Sequence, residues 1–184
     1  IVNGLVGSEM CIRDSMYPNY AMFCENTEFA EARIYRDVLD SIWEILTVKT
    51  AKVNFERQLE KVEELFPSGD DFDFYGVYPA MDACQGLATL IHGLLDREHM
   101  LESVIKVSQQ SVKTVAELEF AQGAEEVTNE NQKENEAVCE EWDVQWAIFR
   151  PLRETTERDL ELIKDLRHEP VSYTHLRAHE TIDD

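Results

Sequence analysis

Apolar side chains recur at steps of three and four along most of this chain, the period of a helix with one buried face. Tyr17 to Asn26 reads as the end of one helix, and Asn26 and Thr27 are candidate caps for the next. That second helix is predicted to reach about Val48, with Tyr35, Val38, Leu39, Ile42, Ile45 and Leu46 on its inner face. A third, about Ala51 to Phe66, turns Phe55, Leu59, Val62 and Phe66 inward and stops at Pro67, Ser68 and Gly69. A fourth begins near Pro79 and is apolar on most sides, with Cys84, Leu87, Leu90, Ile91 and Leu94, which marks it as the central helix of a bundle. Its Gly86 and Gly93 each cost about 1 kcal/mol relative to alanine, and a close helix crossing would justify them. A fifth, about Met100 to Gln122, is predicted to bury Leu101, Val104, Ile105, Val112, Val115 and Phe120. A polar stretch from Gly123 to Glu136 separates it from a last helical run, about Glu136 to His168. That run carries Val138, Trp142, Trp146, Phe149, Leu152, Leu160, Ile163 and Leu166, and Trp142 and Trp146 read as core packing. Pro151 predicts a kink there or a split into two shorter helices. Without a repeat or a convincing strand pair, the pattern predicts an all-α, single-domain bundle of about five to seven helices.

The ends do not share this pattern. NGLVGSEMCIRDS near the start and VSYTHLRAHET near the end resemble translated sequencing-adapter read-through. On that reading, residues 1–15 and 170–184 are artefacts, and residues 16–169 are a natural domain cut at both ends. About 150 residues suffice for one real core. The chain carries 38 acidic and 17 basic side chains, a net charge of −21. Such a surface repels phosphate backbones, so nucleic acid and anionic membranes are unfavourable partners, while a basic protein surface or a cation is favourable. No apolar run approaches the ~20 residues of a membrane span. Cys24, Cys84 and Cys139 are scattered, with no CxxC, which argues for a reducing cytoplasm rather than a disulfide framework or a thiolate zinc site.

Several long stretches, MYPNYAMFCENT, IYRDVLDSIWEILTVKTAKVNFERQLEK, DDFDFYGVYPAMDAC, EEWDVQWAIFR and RDLELIKDLR, resemble the YjaG-like family of bacterial proteins, a domain of unknown function (DUF416). The resemblance spans Met16 to about Arg167. It implies an all-helical cytoplasmic protein from a gammaproteobacterium, and supplies no reaction, cofactor or catalytic residue. It also implies one more helix before Met16 and a short tail after Arg167. Loss of that helix would leave this chain marginally stable, since each uncovered apolar side chain forfeits about 1.5–3 kcal/mol.

Three constellations could carry chemistry. The acidic-aromatic loop around Asp71, Phe72, Asp73, Phe74, Tyr75 and Tyr78 is a candidate binding surface, because aromatic rings beside carboxylates suit a cationic partner. Asp71, Asp73, Gly76 and Asp82 also sit at positions 1, 3, 6 and 12 of a calcium-loop template. Tyr75 and Pro79 spoil positions 5 and 9, and the last acid is the short one, so Phe72, Phe74 and Tyr78 read better as a plug for the bundle's end. His92, Asp96 and His99 are candidate metal ligands, lying on one face if the fourth helix runs unbroken through them. The scattered helical acids lack the Glu-x-x-His spacing of di-metal bundles. No nucleophile elbow or glycine-rich phosphate loop is present.

The leading functional reading is therefore a non-catalytic, acidic protein-interaction module for a partner with a basic surface. The alternatives are an enzyme or metal-binding protein with an inter-helix pocket near His92, its cofactor unknown, and a self-associating protein whose face includes the Trp142–Phe149 stripe.

Overall fold

In a computed structural model the described residues are 16–123, 127–128, 130–154 and 159–167. The end strings 1–15 and 170–184, Cys11 and part of the polar stretch after residue 123 lie outside them. The fold is all-α, with no strand among the described residues. The order is α1 (16–27), α2 (Ala32–Thr47), α3 (Phe55–Glu64), a 3-10 turn (Gly69–Asp71), α4 (Val77–Leu95), α5 (Met100–Gly123), the four-residue α6 (Asn131–Glu134), α7 (Glu136–Glu154) and α8 (160–167).

Helix α4 is the hub, as its all-round apolar surface requires. Val77, Ala80, Ala83, Cys84, Leu87, Leu90 and Ile91 are buried on it. Tyr20 from α1 and Tyr35 from α2 stack at 5.0 Å between ring centres. Each sends its hydroxyl across the core to a backbone carbonyl: Tyr20 donates to Leu65 O at 3.1 Å, and Tyr35 to Ala83 O at 3.0 Å. The rings fill apolar space while each buried hydroxyl finds a carbonyl acceptor, so neither is left without a partner. Cys24 and Cys84 are buried free thiols that fill core space, and Cys139 is exposed. Desolvation is the main cause raising both buried thiols above the usual range.

Several details depart from the sequence pattern. Asn26 and Thr27 do not cap α2; their side chains donate back to Met22 O and Phe23 O at the end of α1. Glu28 then takes a left-handed conformation (φ 53°), the usual way to end a helix, and α2 starts only at Ala32. Helix α3 starts at Phe55, later than Ala51, and is capped by Asn54, whose side chain accepts from the Arg57 amide. Ile45 is only half-buried, and Trp43 takes the core instead. On α5 the expected inner residues Leu101 and Ile105 are exposed, while Ser103, Val107, Ser111 and Thr114 are buried. On α7 Trp142 and Trp146 are likewise exposed, and Val138, Glu141, Gln145, Ile148 and Leu152 face inward at steps of three and four. Helix α7 runs through Pro151, which sits in its last turn. Helix α8 begins afresh from Asp159, whose carboxylate accepts from the Glu161 and Leu162 amides at 3.0 Å. Its Ile163 and Leu166 join the core, and its Arg167 reaches Asp40 on α2 at 2.6 Å while lying over the Trp43 ring.

The α4–α5 hairpin closes at Gly93. A Cβ there would lie 2.9 Å from Ser103 Cβ and 3.2 Å from Met100 Sδ, so glycine is what permits the approach. Helix α7 then packs antiparallel on α5 through a polar seam. Ser111 donates to the buried Glu141 carboxylate at 2.7 Å, Gln145 Nε2 donates to the same carboxylate at 2.9 Å, and Ser108 donates to Gln145 Oε1.

Candidate functional site

The acidic-aromatic loop is built between α3 and α4 and anchored at its root. Phe72 alone turns inward, meeting Phe23 edge-on at 5.0 Å and Phe29 at 5.6 Å. Past it the Phe74 ring lies over Gly76, where a Cβ would meet the tip of that ring at 2.4 Å. The 3-10 turn leaves Asp70 and Asp71 exposed, and Asp73 is exposed too.

Phe74 and Tyr78, read from sequence as plugs, stay outside with Tyr75, at 38%, 53% and 45% exposure. Tyr75 and Tyr78 form a ring pair at 5.7 Å, and the Tyr75 hydroxyl donates to Glu117 O on α5 at 3.1 Å. Partial burial is the main cause raising the Tyr75 hydroxyl above its ordinary range, with the Glu117 and Asp82 carboxylates adding to it. That hydroxyl therefore stays protonated and keeps donating. The result is a fixed surface of three rings beside three aspartates, able to take a guanidinium or ammonium group against ring faces with carboxylates at hand.

Asp82, the last acid of the calcium template, is directed into the α4–α5 interface. Thr114 donates to its Oδ2 at 2.8 Å and Gln110 to its Oδ1. Desolvation raises its carboxyl above the usual range, against the lowering by Thr114 and Lys113. The His92, Asp96 and His99 trio is also divided. Helix α4 ends at Leu95, so Asp96 falls in the turn, where it pairs with His99 Nδ1 at 2.8 Å on the exposed surface. His92 is exposed a turn earlier on α4. The pair holds the Asp96 carboxyl below and the His99 ring above their ordinary ranges, chiefly by their mutual hydrogen bond. No three His, Cys, Asp or Glu side chains among the described residues stand together as a metal set. A cleft of about 340 Å³ between α4 and α5 is lined by Gln85, Gly86, Thr89, Lys106, Gln109 and Lys113, among others, and His92 is not in it.

Sequence reasoning missed the seam of Ser108, Ser111, Glu141 and Gln145. The signal was the spacing 138, 141, 145, 148, 152, legible only if a glutamate and a glutamine are allowed on an inner face. No helix among the described residues is long and apolar enough to cross a membrane.

The comparisons agree with this architecture. The chain is 59% identical over 157 residues to the uncharacterized protein YjaG of Escherichia coli K12, covering 85% of this chain and 80% of that protein. It is 41% identical over the same length to an uncharacterized protein of Haemophilus influenzae. A DUF416 family protein from Shewanella baltica OS155, known from a crystal structure, superposes with a TM-score of 0.82 at 28% identity, covering 94% of this chain and 88% of the other. Residues 8–173 match the family described as a protein of unknown function (DUF416), and the chain belongs to that family.

Proposed function

We propose that the chain is a non-catalytic, acidic protein-interaction module that receives a basic segment of a partner on the loop from Asp70 to Tyr78. The observation that carries this reading is the exposure of Phe74, Tyr75 and Tyr78 on a loop whose root is locked by Phe72 and whose tip is held to α5 by the Tyr75 hydroxyl. Exposed rings on a mobile loop would lose entropy on binding, whereas rings already held in place lose less. The net charge of −21 favours encounter with a cationic partner and disfavours nucleic acid or an anionic membrane. Two buried free thiols and one exposed one suit a reducing cytoplasm, the compartment we assign.

The test is a fluorescence-anisotropy titration of the full chain into a labelled peptide of alternating arginine and glycine. Saturable binding is expected, with Tyr75→Ala/Tyr78→Ala weakening it by about tenfold or more, as loss of aromatic anchors does. The control Glu56→Gln/Glu60→Gln on α3 removes two exposed charges elsewhere and is expected to change affinity by less than about threefold, as rim charges do. A tyrosine variant that binds like the parent chain while the glutamate variant binds more weakly would mean that affinity follows net charge alone, and would refute the loop as the site.

A further inference from the structure

We infer that the chain pairs with a second copy of itself through α7, the two α7 helices running antiparallel about a two-fold axis that passes close to Trp146.

The seam fixes how α7 lies on α5. Ser111 meets Glu141 and Ser108 meets Gln145, so the helices are antiparallel, and Ile105 stands level with Ile148. With Val138, Glu141, Gln145, Ile148 and Leu152 turned inward, helical geometry brings Trp142, Trp146 and Phe149 out on one side of the seam. Leu101 and Ile105 emerge from α5 on that same side, continuing the stripe of Val112 and Ala116. The patch is large for a surface: Leu101 is 57% exposed, Ile105 48%, Trp142 41% and Trp146 51%, with Trp146 edge-on to Phe149 at 5.8 Å. Contiguous apolar groups of this kind mark interaction surfaces.

Charge selects a second copy as the occupant. An isologous interface must complement itself. In an antiparallel pairing of identical helices, residues on one edge meet residues of the same edge at equal distances either side of the axis. Asp143 and Arg150 share the edge of the tryptophan face away from α5, and both are exposed. An axis between residues 146 and 147 brings Asp143 against the partner's Arg150, and by symmetry Arg150 against the partner's Asp143. The same axis lays Arg153 beside the partner's Trp142, a cation against a ring face. On α5 it passes close to Ile105, so Ile105 approaches its own copy. One operator thus satisfies the rings, the aliphatic edge and both signs of charge. This surface is separate from the acidic loop, and either could fail without the other.

Sedimentation equilibrium of the full chain tests the pairing. A reversible monomer–dimer equilibrium is expected, with a dissociation constant in the range of about 1–100 μM for so compact a patch. Trp146→Glu is expected to leave a monomer whose thermal melt, run well below that dissociation constant, stays within a few degrees of the parent chain's. Asp143→Arg sets like charges against each other twice and is expected to weaken the dimer at least tenfold. Asp143→Arg/Arg150→Asp is expected to restore it to within about threefold of the parent chain. A parent chain that is monomeric above about 100 μM, or a charge reversal that the double exchange does not rescue, would overturn the pairing.

Discussion

Gly93 carries more of this fold than its size suggests. Any side chain there meets Ser103 Cβ, which hangs directly on the α5 backbone and cannot swing aside. Alanine would gain helix propensity, but the crowded crossing outweighs it. Gly93→Ala is expected to destabilise the chain by about 1–3 kcal/mol, read as a lower urea midpoint at unchanged slope. Asp82 makes the opposite kind of prediction. Its carboxyl is raised in the folded chain, mainly by burial, so the folded state holds its proton more tightly than the unfolded state does. The stabilisation this gives is complete below the unfolded pKa of about 3.9 and is lost as pH rises through the higher folded value. Relative to Asp82→Asn, which has no charge to desolvate, the parent chain should therefore lose stability as pH rises from about 4 through the raised folded value. Paired urea melts across that range check it, and a difference that is flat or of opposite slope would refute it. At this scale the sequence was only partly legible. Gly93 could be read, because a glycine in an apolar helix needs a reason. The exchange of Trp43 for Ile45 in the core could not, because both fit the apolar side of α2 and only the neighbours decide.

Helices α5 and α7 show why an element can be placed correctly and faced wrongly. Trp142 and Trp146 are the most apolar bulk on α7, and any hydrophobicity rule turns them inward. The structure instead buries Glu141 and Gln145, because α5 offers Ser108 and Ser111 opposite them and the four side chains satisfy one another. The seam is held by its completeness, so breaking it on one side should cost more than replacing both sides. Ser111→Ala takes a donor from a buried carboxylate, an expected loss of about 1–3 kcal/mol. Adding Glu141→Met should recover most of that loss, since the orphaned charge goes with it. A double-mutant cycle of thermal or urea melts measures the coupling, and strictly additive losses would refute the seam as described. Pro151 was legible as an interruption, and of its two expected outcomes the split into two shorter helices is the one found, with Pro151 in the last turn of α7 and α8 following at 160–167. The fresh start at Asp159 follows from a capping carboxylate that the sequence also displays.

For the whole molecule, the heptad-like spacing and the lack of alternating segments were enough to give an all-helical bundle, because burying one face of each helix is a demand every segment makes alike. The acidic loop was legible as a feature of composition, and its role was not. Whether Phe74 and Tyr78 plug the bundle or face water depends on how much room Phe23, Phe29 and Phe72 leave, which no local pattern encodes. Their exposure turns a stretch of loop into a shaped acidic surface, and the functional account rests on it. Amide NMR titration of the isotope-labelled chain with the arginine–glycine peptide tests that surface most directly. The account predicts shifts concentrated at residues 70–78 and around Glu117, where the Tyr75 hydroxyl is bound. Shifts spread evenly over the acidic faces of α2, α3 and α7, with the loop no more affected than the rest, would contradict it.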